Sequence, residues 1–269
     1  MKNTDIDAGK TFDWGRASVD YAKFRDIYPS EFYQRILDLG LCTAGQDVLD
    51  LGTGTGVLPR ALYANGAKFV GADISGQQIA EARRLAEEEK KSIDFIVCAA
   101  EDLSFPPGSF DVITACQCFL YFNKSIVLPK FHQLLRTGGH FCELWMAWLP
   151  QEDEIAAASE KLVLKYNPAW TGAGYQRPVL SEPTWASPYF SASSLIAYDI
   201  PFPSLVKPGM AESGPAAELA LLLCLKKQLT LLKQNICIFY RPFPNALTFC
   251  ITSPYRISSK YKSSFIRTA

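Results

Sequence analysis

This chain of 269 residues holds only two histidines, His132 and His140, and carries no net charge. With 27 basic side chains balanced by 27 acidic ones, its overall charge draws it to neither nucleic acid nor anionic membrane. It lacks an apolar run long enough to cross a bilayer; the stretch from Leu219 to Leu225 stops at Lys226-Lys227. It lacks a secretory leader pattern at its start, so the cytoplasm is the expected compartment. Its eight cysteines are therefore expected to be reduced and mostly buried, several of them inside apolar strand-like runs. Cys116-Gln117-Cys118 has no second cysteine pair and no histidine cluster near it, so no metal site is expected. A phosphate-cradling loop is also missing. The only Gly-Lys-Thr is Gly9-Lys10-Thr11, with Thr4 where the first glycine belongs and no strand before it. The Gly-x-Gly-x-x-Gly dinucleotide fingerprint fails as well, because Val57 holds its third glycine position.

What is present is concentrated in residues 47–56. A short apolar strand (Val48, Leu49) ends in a carboxylate, Asp50. Glycines then recur at alternate positions, Gly52, Gly54 and Gly56, with Thr53 between the first two, before a helix-like run from Val57 to Tyr63. Such a strand–turn–helix lets a ligand press against bare backbone and offers it free N–H groups at the helix start. A carboxylate at the mouth of the turn repels phosphate and attracts a cationic or hydroxyl-bearing group.

A content of 48% hydrophobic residues supports one sizeable core, or a core domain with a cap. Two short helices are expected between Val19 and Leu39, broken near Pro29. Ser30 is the expected N-cap of the second, with Phe32, Ile36 and Leu39 on its buried face. Strands are expected at Asp47–Leu51, Lys68–Asp73, Ile93–Cys98, Phe110–Ala115 and His140–Trp145. Helices are expected between them at Val57–Asn65, Gly76–Lys91 (capped by Ser75) and Ser125–Leu135. This alternation predicts an α/β fold, a doubly wound, mostly parallel sheet of the seven-stranded, Rossmann-like type. A helix from Gln151 to Tyr166 and a turn at Asn167–Gly172 follow.

Ligands of such sheets sit at the C-terminal strand ends, near the switch in strand order. Asp50, Asp73, Glu101 and Cys116-Gln117 all fall there. Asp73, about twenty residues beyond the glycine turn, is placed to accept ribose hydroxyls; the other reading is a carboxylate stabilised by a helix N-terminus. Ile74 adjoins it. Asp111 opens its strand, remote from that edge, and reads as structural. Gln117, Phe119 and Tyr121 line the exit from the fourth strand, where aromatic faces favour a cation; for Phe119 and Phe122 the other reading is aromatic core packing. His132 and His140 lie away from this edge and read as structural.

The glycine turn, Asp73 and the phrase Ser109-Phe110-Asp111-Val112-Ile113 together resemble the class I S-adenosylmethionine (SAM)-dependent methyltransferases, over about residues 14–198. The resemblance implies SAM as cofactor, bound by Asp50, Gly52, Thr53, Gly54, Gly56, Asp73, Ile74, Ala100, Glu101, Cys116 and Gln117. Many members have an aspartate one position before the alanine of Ala100-Glu101, where this chain has Ala99; the adenine contact then passes to Glu101 or the Ala100 N–H. Asp20 to Pro29 resembles the family's lid, so Tyr21 and Arg25 join the set, Arg25 as a bidentate partner of the methionyl carboxylate. Methyl transfer to a small-molecule acceptor is the implied reaction, with Tyr121 and Glu143 as candidates for proton handling. The alternatives are an RNA or protein acceptor, or a SAM-binding protein without catalysis. The expected division is a SAM-binding domain with its lid over residues 1–150, a substrate-side insertion completing the sheet over 151–218, and an atypical segment over 219–269.

That last segment has no Asp or Glu but eight Lys or Arg. The preceding residues hold all 27 acidic side chains against 19 basic ones, a net of −8. A helix at Leu219–Leu232 and strands at Ile236–Tyr240 and Ala246–Ile251 are expected, and Ser253–Ala269 reads as disordered. A basic arm for RNA or membrane, a divergent cap and a shifted reading frame all fit this composition. The shifted frame is preferred because the resemblance fades after about Tyr198, and it would leave the sheet's C-terminal edge aberrant.

Overall fold

The computed structural model describes residues 28–152, 154–166, 168, 181–200 and 233–242. Its contacts divide the chain into two compact units. The larger gathers Trp14–Trp145, Leu180–Tyr198 and Ile236–Ala269; the smaller gathers Met1–Asp13, Met146–Val179 and Asp199–Asn235.

In the larger unit, helix α1 (Ser30–Asp38) precedes a regular alternation: β1 (Asp47–Leu51), α2 (Val57–Leu62), β2 (Lys68–Asp73), α3 (Gly76–Glu88), β3 (Asp94–Val97), β4 (Phe110–Cys116) and α4 (Lys124–Leu134). Strand β5 (Leu135–Trp148) continues from α4, and α5 (Glu154–Tyr166) lies in the smaller unit. Strands β6 (Phe190–Ile200) and β7 (Lys233–Pro242) complete a seven-stranded sheet in the order β3-β2-β1-β4-β5-β7-β6. The pairs β3–β2, β2–β1, β1–β4 and β4–β5 are parallel, so the predicted α/β architecture holds. The order reverses between β1 and β4. Among the described residues no helix is long and apolar enough to cross a membrane.

Residues alternate across the sheet, and both faces are dry. Val48, Val112, Cys142 and Leu144 join Phe32 and Ile36 of α1 with Leu58 and Leu62 of α2. Leu49, Leu51, Ile113, Ala115 and Phe141 join Phe119 and Phe131 on the other side. Parallel strands buried on both faces need such near-continuous apolar runs.

Several boundaries differ from the sequence expectation for local reasons. Helix α1 starts at Ser30, with Pro29 at the cap; the Ser30 hydroxyl bonds Glu31 and caps nothing. Leu39 is 39% exposed, one residue past the helix, so it leaves the buried face. Helix α3 ends at Glu88 because Lys90 turns left-handed at φ +55°, although Ser75 caps its start as expected by accepting from the Gln78 N–H. Strand β5 begins five residues early. Its register against β4 jumps from Phe110↔Leu135 to Val112↔His140, and this irregularity absorbs Gly138-Gly139. A Cβ on Gly139 would stand 2.9 Å from the Asp111 carbonyl, which explains the small residue. The Ile236–Tyr240 expectation falls within β7. The first helix before Pro29, the helix at Leu219–Leu232, the strand at Ala246–Ile251 and the tail from Ser253 lie outside the described residues, as does the Asn167–Gly172 turn apart from Pro168.

The N-terminal strand ends are tied by charge. Arg136 donates to Asp47 Oδ2 (2.7 Å), to Asp111 Oδ2 and to the Gly108 carbonyl (3.1 Å), while Asp111 Oδ2 also accepts the Asp47 N–H (2.8 Å). Asp111 is thus structural, as expected. These groups are partly exposed, so Arg136→Met is expected to lower the thermal midpoint by only ~2–4 °C in a calorimetric scan.

Candidate ligand site at the glycine turn

The three glycines of the turn all adopt positive φ: +57° at Gly52, +57° at Gly54 and +75° at Gly56. Their surroundings differ. A Cβ on Gly52 would stand 2.7 Å from Cys118 Cβ and Sγ, and one on Gly56 would stand 2.8 Å from the Phe95 ring. Protein fills the space at both. A Cβ on Gly54 would meet only Gln78 Oε1, at 3.9 Å. Gly54 is therefore the one bare stretch of this turn that opens onto space. The backbone around it is tied down: Thr53 N–H donates to Ala72 O (3.1 Å) and Gly56 N–H to Thr53 O (2.9 Å).

Asp73 closes β2 and grips the turn. Its Oδ2 accepts from the Gly54 N–H (2.9 Å) and its Oδ1 from the Ser75 N–H (2.8 Å). Burial pushes its pKa up against these two bonds. The carboxylate thus joins the glycine turn to the start of α3 and keeps lone pairs for a ligand hydroxyl. Asp50 is placed differently from the mouth-of-the-turn reading. It is 2% exposed, accepts a 2.6 Å bond from the Thr114 hydroxyl on the neighbouring strand, and lies beneath the turn. Burial raises its pKa to about 6, with the Thr114 bond opposing and the Asp73 charge adding.

Beside Asp73 stand two exposed apolar side chains, Ile74 at 53% and Val97 at 55%. Val97 is the register partner of Asp73; the sequence reading named Ile74 and missed Val97, whose partner only the pairing reveals. Ala100 is buried at the start of a 3₁₀ turn, Ala100–Asp102. Glu101 is occupied in bracing this loop, since its Oε1 accepts from the Asn123 N–H (2.8 Å) at the cap of α4. Lys130 of α4 completes the brace, donating to the Glu101 and Leu103 carbonyls at 2.6 and 2.9 Å.

Cys116 ends β4, and its thiol donates to the Tyr28 hydroxyl (3.4 Å). Gln117 turns left-handed at φ +63°, with its N–H on Leu144 O (2.9 Å). Cys118 fills the Gly52 gap, its thiol donating to Leu51 O (3.1 Å). Phe119 begins a 3₁₀ turn ending at Tyr121 and packs at 4.8 Å from Trp185 and 5.0 Å from Phe141, so its ring belongs to the core. Lys124 Nζ lies 4.9 Å from the Phe119 ring centroid. Glu143 sits on β5 opposite Ala115, which in turn pairs with Leu51 at the entrance to the glycine turn. Burial raises the Glu143 pKa to about 7, with the Lys124 charge opposing.

The structure thus brings Asp50, Gly52, Thr53, Gly54, Gly56, Asp73, Ile74, Cys116 and Gln117 to the C-terminal ends of adjacent strands, with Ala100 and Glu101 on the loop beyond β3. Tyr21 and Arg25 lie outside the described residues. His132 packs against Tyr189 and Phe190 (6.1 and 6.2 Å between ring centroids), and His140 pairs with Val112 early in β4, both away from the turn. Thr114, Cys118 and Phe95 support the site without having been singled out. Each acts on a residue distant in sequence, so no local spacing marks it.

A family model described as a methyltransferase domain matches residues 48–139. A demethylmenaquinone methyltransferase from Thermus thermophilus is 38% identical over 114 residues, covering 41% of this chain and 52% of that protein. A ubiquinone biosynthesis O-methyltransferase from Thiobacillus denitrificans is 30% identical over 128 residues, 47% of this chain and 54% of that one. The chain thus spans about half the length of these relatives. The crystal structure of the MccD protein shares the fold with a TM-score of 0.55 at 16% identity, over 80% of this chain and 97% of that one.

Proposed function

We propose that the chain is a class I SAM-dependent methyltransferase that transfers a methyl group from SAM to a small-molecule acceptor, a reading supported by the methyltransferase-domain match over residues 48–139. The observation that carries this reading is the open face of Gly54, framed by Asp73. A cradle that one Cβ would begin to fill, beside a carboxylate with lone pairs to spare, suits a nucleoside with ribose hydroxyls. Ile74 and Val97 offer the apolar flank an adenine ring needs. SAM would supply an electrophilic methyl group on a sulfonium. The protein's part is to orient donor and acceptor and to keep water out. Gly54 gives close approach, and Asp73 takes hydroxyls. Tyr21 and Arg25 join this set on the sequence resemblance alone and lie outside the described residues. The relatives named above carry quinone-pathway names, which favours a small acceptor over RNA or protein.

Asp73→Ala removes the ribose acceptor and frees the Gly54 and Ser75 N–H groups together. It is expected to weaken SAM binding by about 1–3 kcal/mol, the scale of leaving buried polar partners unpaired. Calorimetric titration of wild type and variant reads this directly, and equal affinities would remove Asp73 from the site. Incubating metabolite extracts with methyl-labelled SAM then identifies the acceptor by where the label lands.

A further inference from the structure

The helix that follows the glycine turn carries a buried guanidinium with no part in the proposed transfer. Arg60 belongs to α2 and is 4% exposed. Its Nε–H donates back to the carbonyl of Thr55, at 3.2 Å, and its Nη1 pairs with the carboxylate of Glu89. Glu89 caps the C-terminus of α3 and is also held by Lys91 at 2.6 Å. The Thr55–Gly56 peptide is thus gripped at both ends: its carbonyl by Arg60, its N–H by the Thr53 carbonyl. The preceding N–H of the turn, on Gly54, is held by Asp73. Between these two fixed peptides the Thr55 N–H donates to no described residue, next to the one glycine of this turn that faces open space.

We propose that Arg60 and Glu89 form a latch on the turn that orients the Thr55 N–H for a ligand acceptor, making Arg60 a positioning residue for the sulfonium nucleoside. This rests on the SAM reading above. The latch spans 29 residues of sequence, from the helix after β1 to the end of the helix after β2, so it fixes the turn against the two elements that frame the site. Without it the Thr55 carbonyl is left buried and unpaired, and the flanking left-handed glycines leave the peptide free to rotate.

The test uses the full chain as wild type, Arg60→Met, Arg60→Lys, Glu89→Gln and the control Arg136→Met, whose ion pairs lie at the other end of the strands. Three quantities are measured for each: SAM affinity by calorimetry, thermal midpoint, and hydrogen exchange of peptides covering residues 52–58. The latch requires Arg60→Met to lose SAM affinity about tenfold or more, with partial recovery in Arg60→Lys and a loss of several-fold in Glu89→Gln. Exchange over 52–58 rises in the same order. Arg136→Met lowers the midpoint and leaves affinity within twofold and exchange at 52–58 unchanged. Should Arg60→Met fail to fold, Glu89→Gln decides, since it keeps the buried arginine and removes only its anchor. Unchanged affinity in Glu89→Gln and Arg60→Lys, or an affinity that merely follows midpoint across all variants including the control, overturns the latch. A wild type that binds no SAM overturns the parent reading with it, whereas wild-type binding untouched by these variants overturns the latch alone.

Discussion

Replacing Gly54 by valine is expected to weaken SAM binding about 100-fold or more, some 3 kcal/mol, while the sheet stays folded. A Cβ at this position meets nothing nearer than Gln78 Oε1 at 3.9 Å, so the side chain intrudes on the ligand's volume and not on the protein's. It does carry a backbone cost, because φ is +57° and a β-branched residue is strained there by about 1–3 kcal/mol. That strain lowers the thermal midpoint by roughly 2–12 °C for a chain of this size. The contrasting change is Gly56→Val, whose Cβ starts 2.8 Å from the Phe95 ring and whose cost falls on the junction of α2, α3 and β3. Titration and melting of the two variants separate the cases: Gly54→Val folds and does not bind, Gly56→Val fails at folding. Normal SAM affinity in Gly54→Val would remove the open face from the site and the proposal with it.

The two glycine positions also mark how far the sequence could be read. The strand–turn–helix at residues 47–62 was legible because local spacing specifies it, and β2 and the start of α3 followed from Asp73 and Ser75 in the same way. The alternation of strands and helices predicted a parallel sheet, and the pairing bears that out. What remained illegible was set by partners far along the chain. Nothing near Gly52 announces that Cys118 fills its missing side chain, and nothing near Asp50 announces the Thr114 hydroxyl 64 residues away that holds it beneath the turn. The sequence read Asp50 as a mouth because a strand-terminal carboxylate usually faces the ligand; here alternation turns it toward the apolar layer under α1 and α2. Glu101 shows the same limit, since its engagement by the Asn123 N–H depends on where α4 returns.

Glu143 is expected to govern the pH dependence of transfer, and Glu143→Gln to cost about 10²–10⁴ in rate for any acceptor that keeps its proton until the transfer step. The carboxyl shares a rung with Ala115 and Leu51, two strands and so about 10 Å across from the residue that opens the glycine turn. It is largely buried, and Lys124 is the one charge that acts on it appreciably. Desolvation raises its pKa from 4.5 to about 7, where a carboxylate is a stronger base than usual and still ionises at neutral pH. Only the ionised form accepts a proton, so the rate should climb with pH up to about 7 and then level off. In Glu143→Gln that limb should vanish. The same shift acts on stability with a definite sign. Between about pH 4.5 and 7 the unfolded chain has given up this proton and the folded one has kept it, so Glu143 lowers stability as pH rises through that window. The penalty, up to ~3 kcal/mol, is complete above it. Glutamine carries no such penalty. The variant should therefore melt higher than wild type at pH 8 and lose that advantage by pH 4, while turning over far more slowly. Initial rates with methyl-labelled donor across pH 5–9, set beside melts at pH 4 and 8, read both effects. A variant that gains stability at pH 8 but keeps the wild-type rate and profile would leave Glu143 a buried carboxyl without a share in proton transfer.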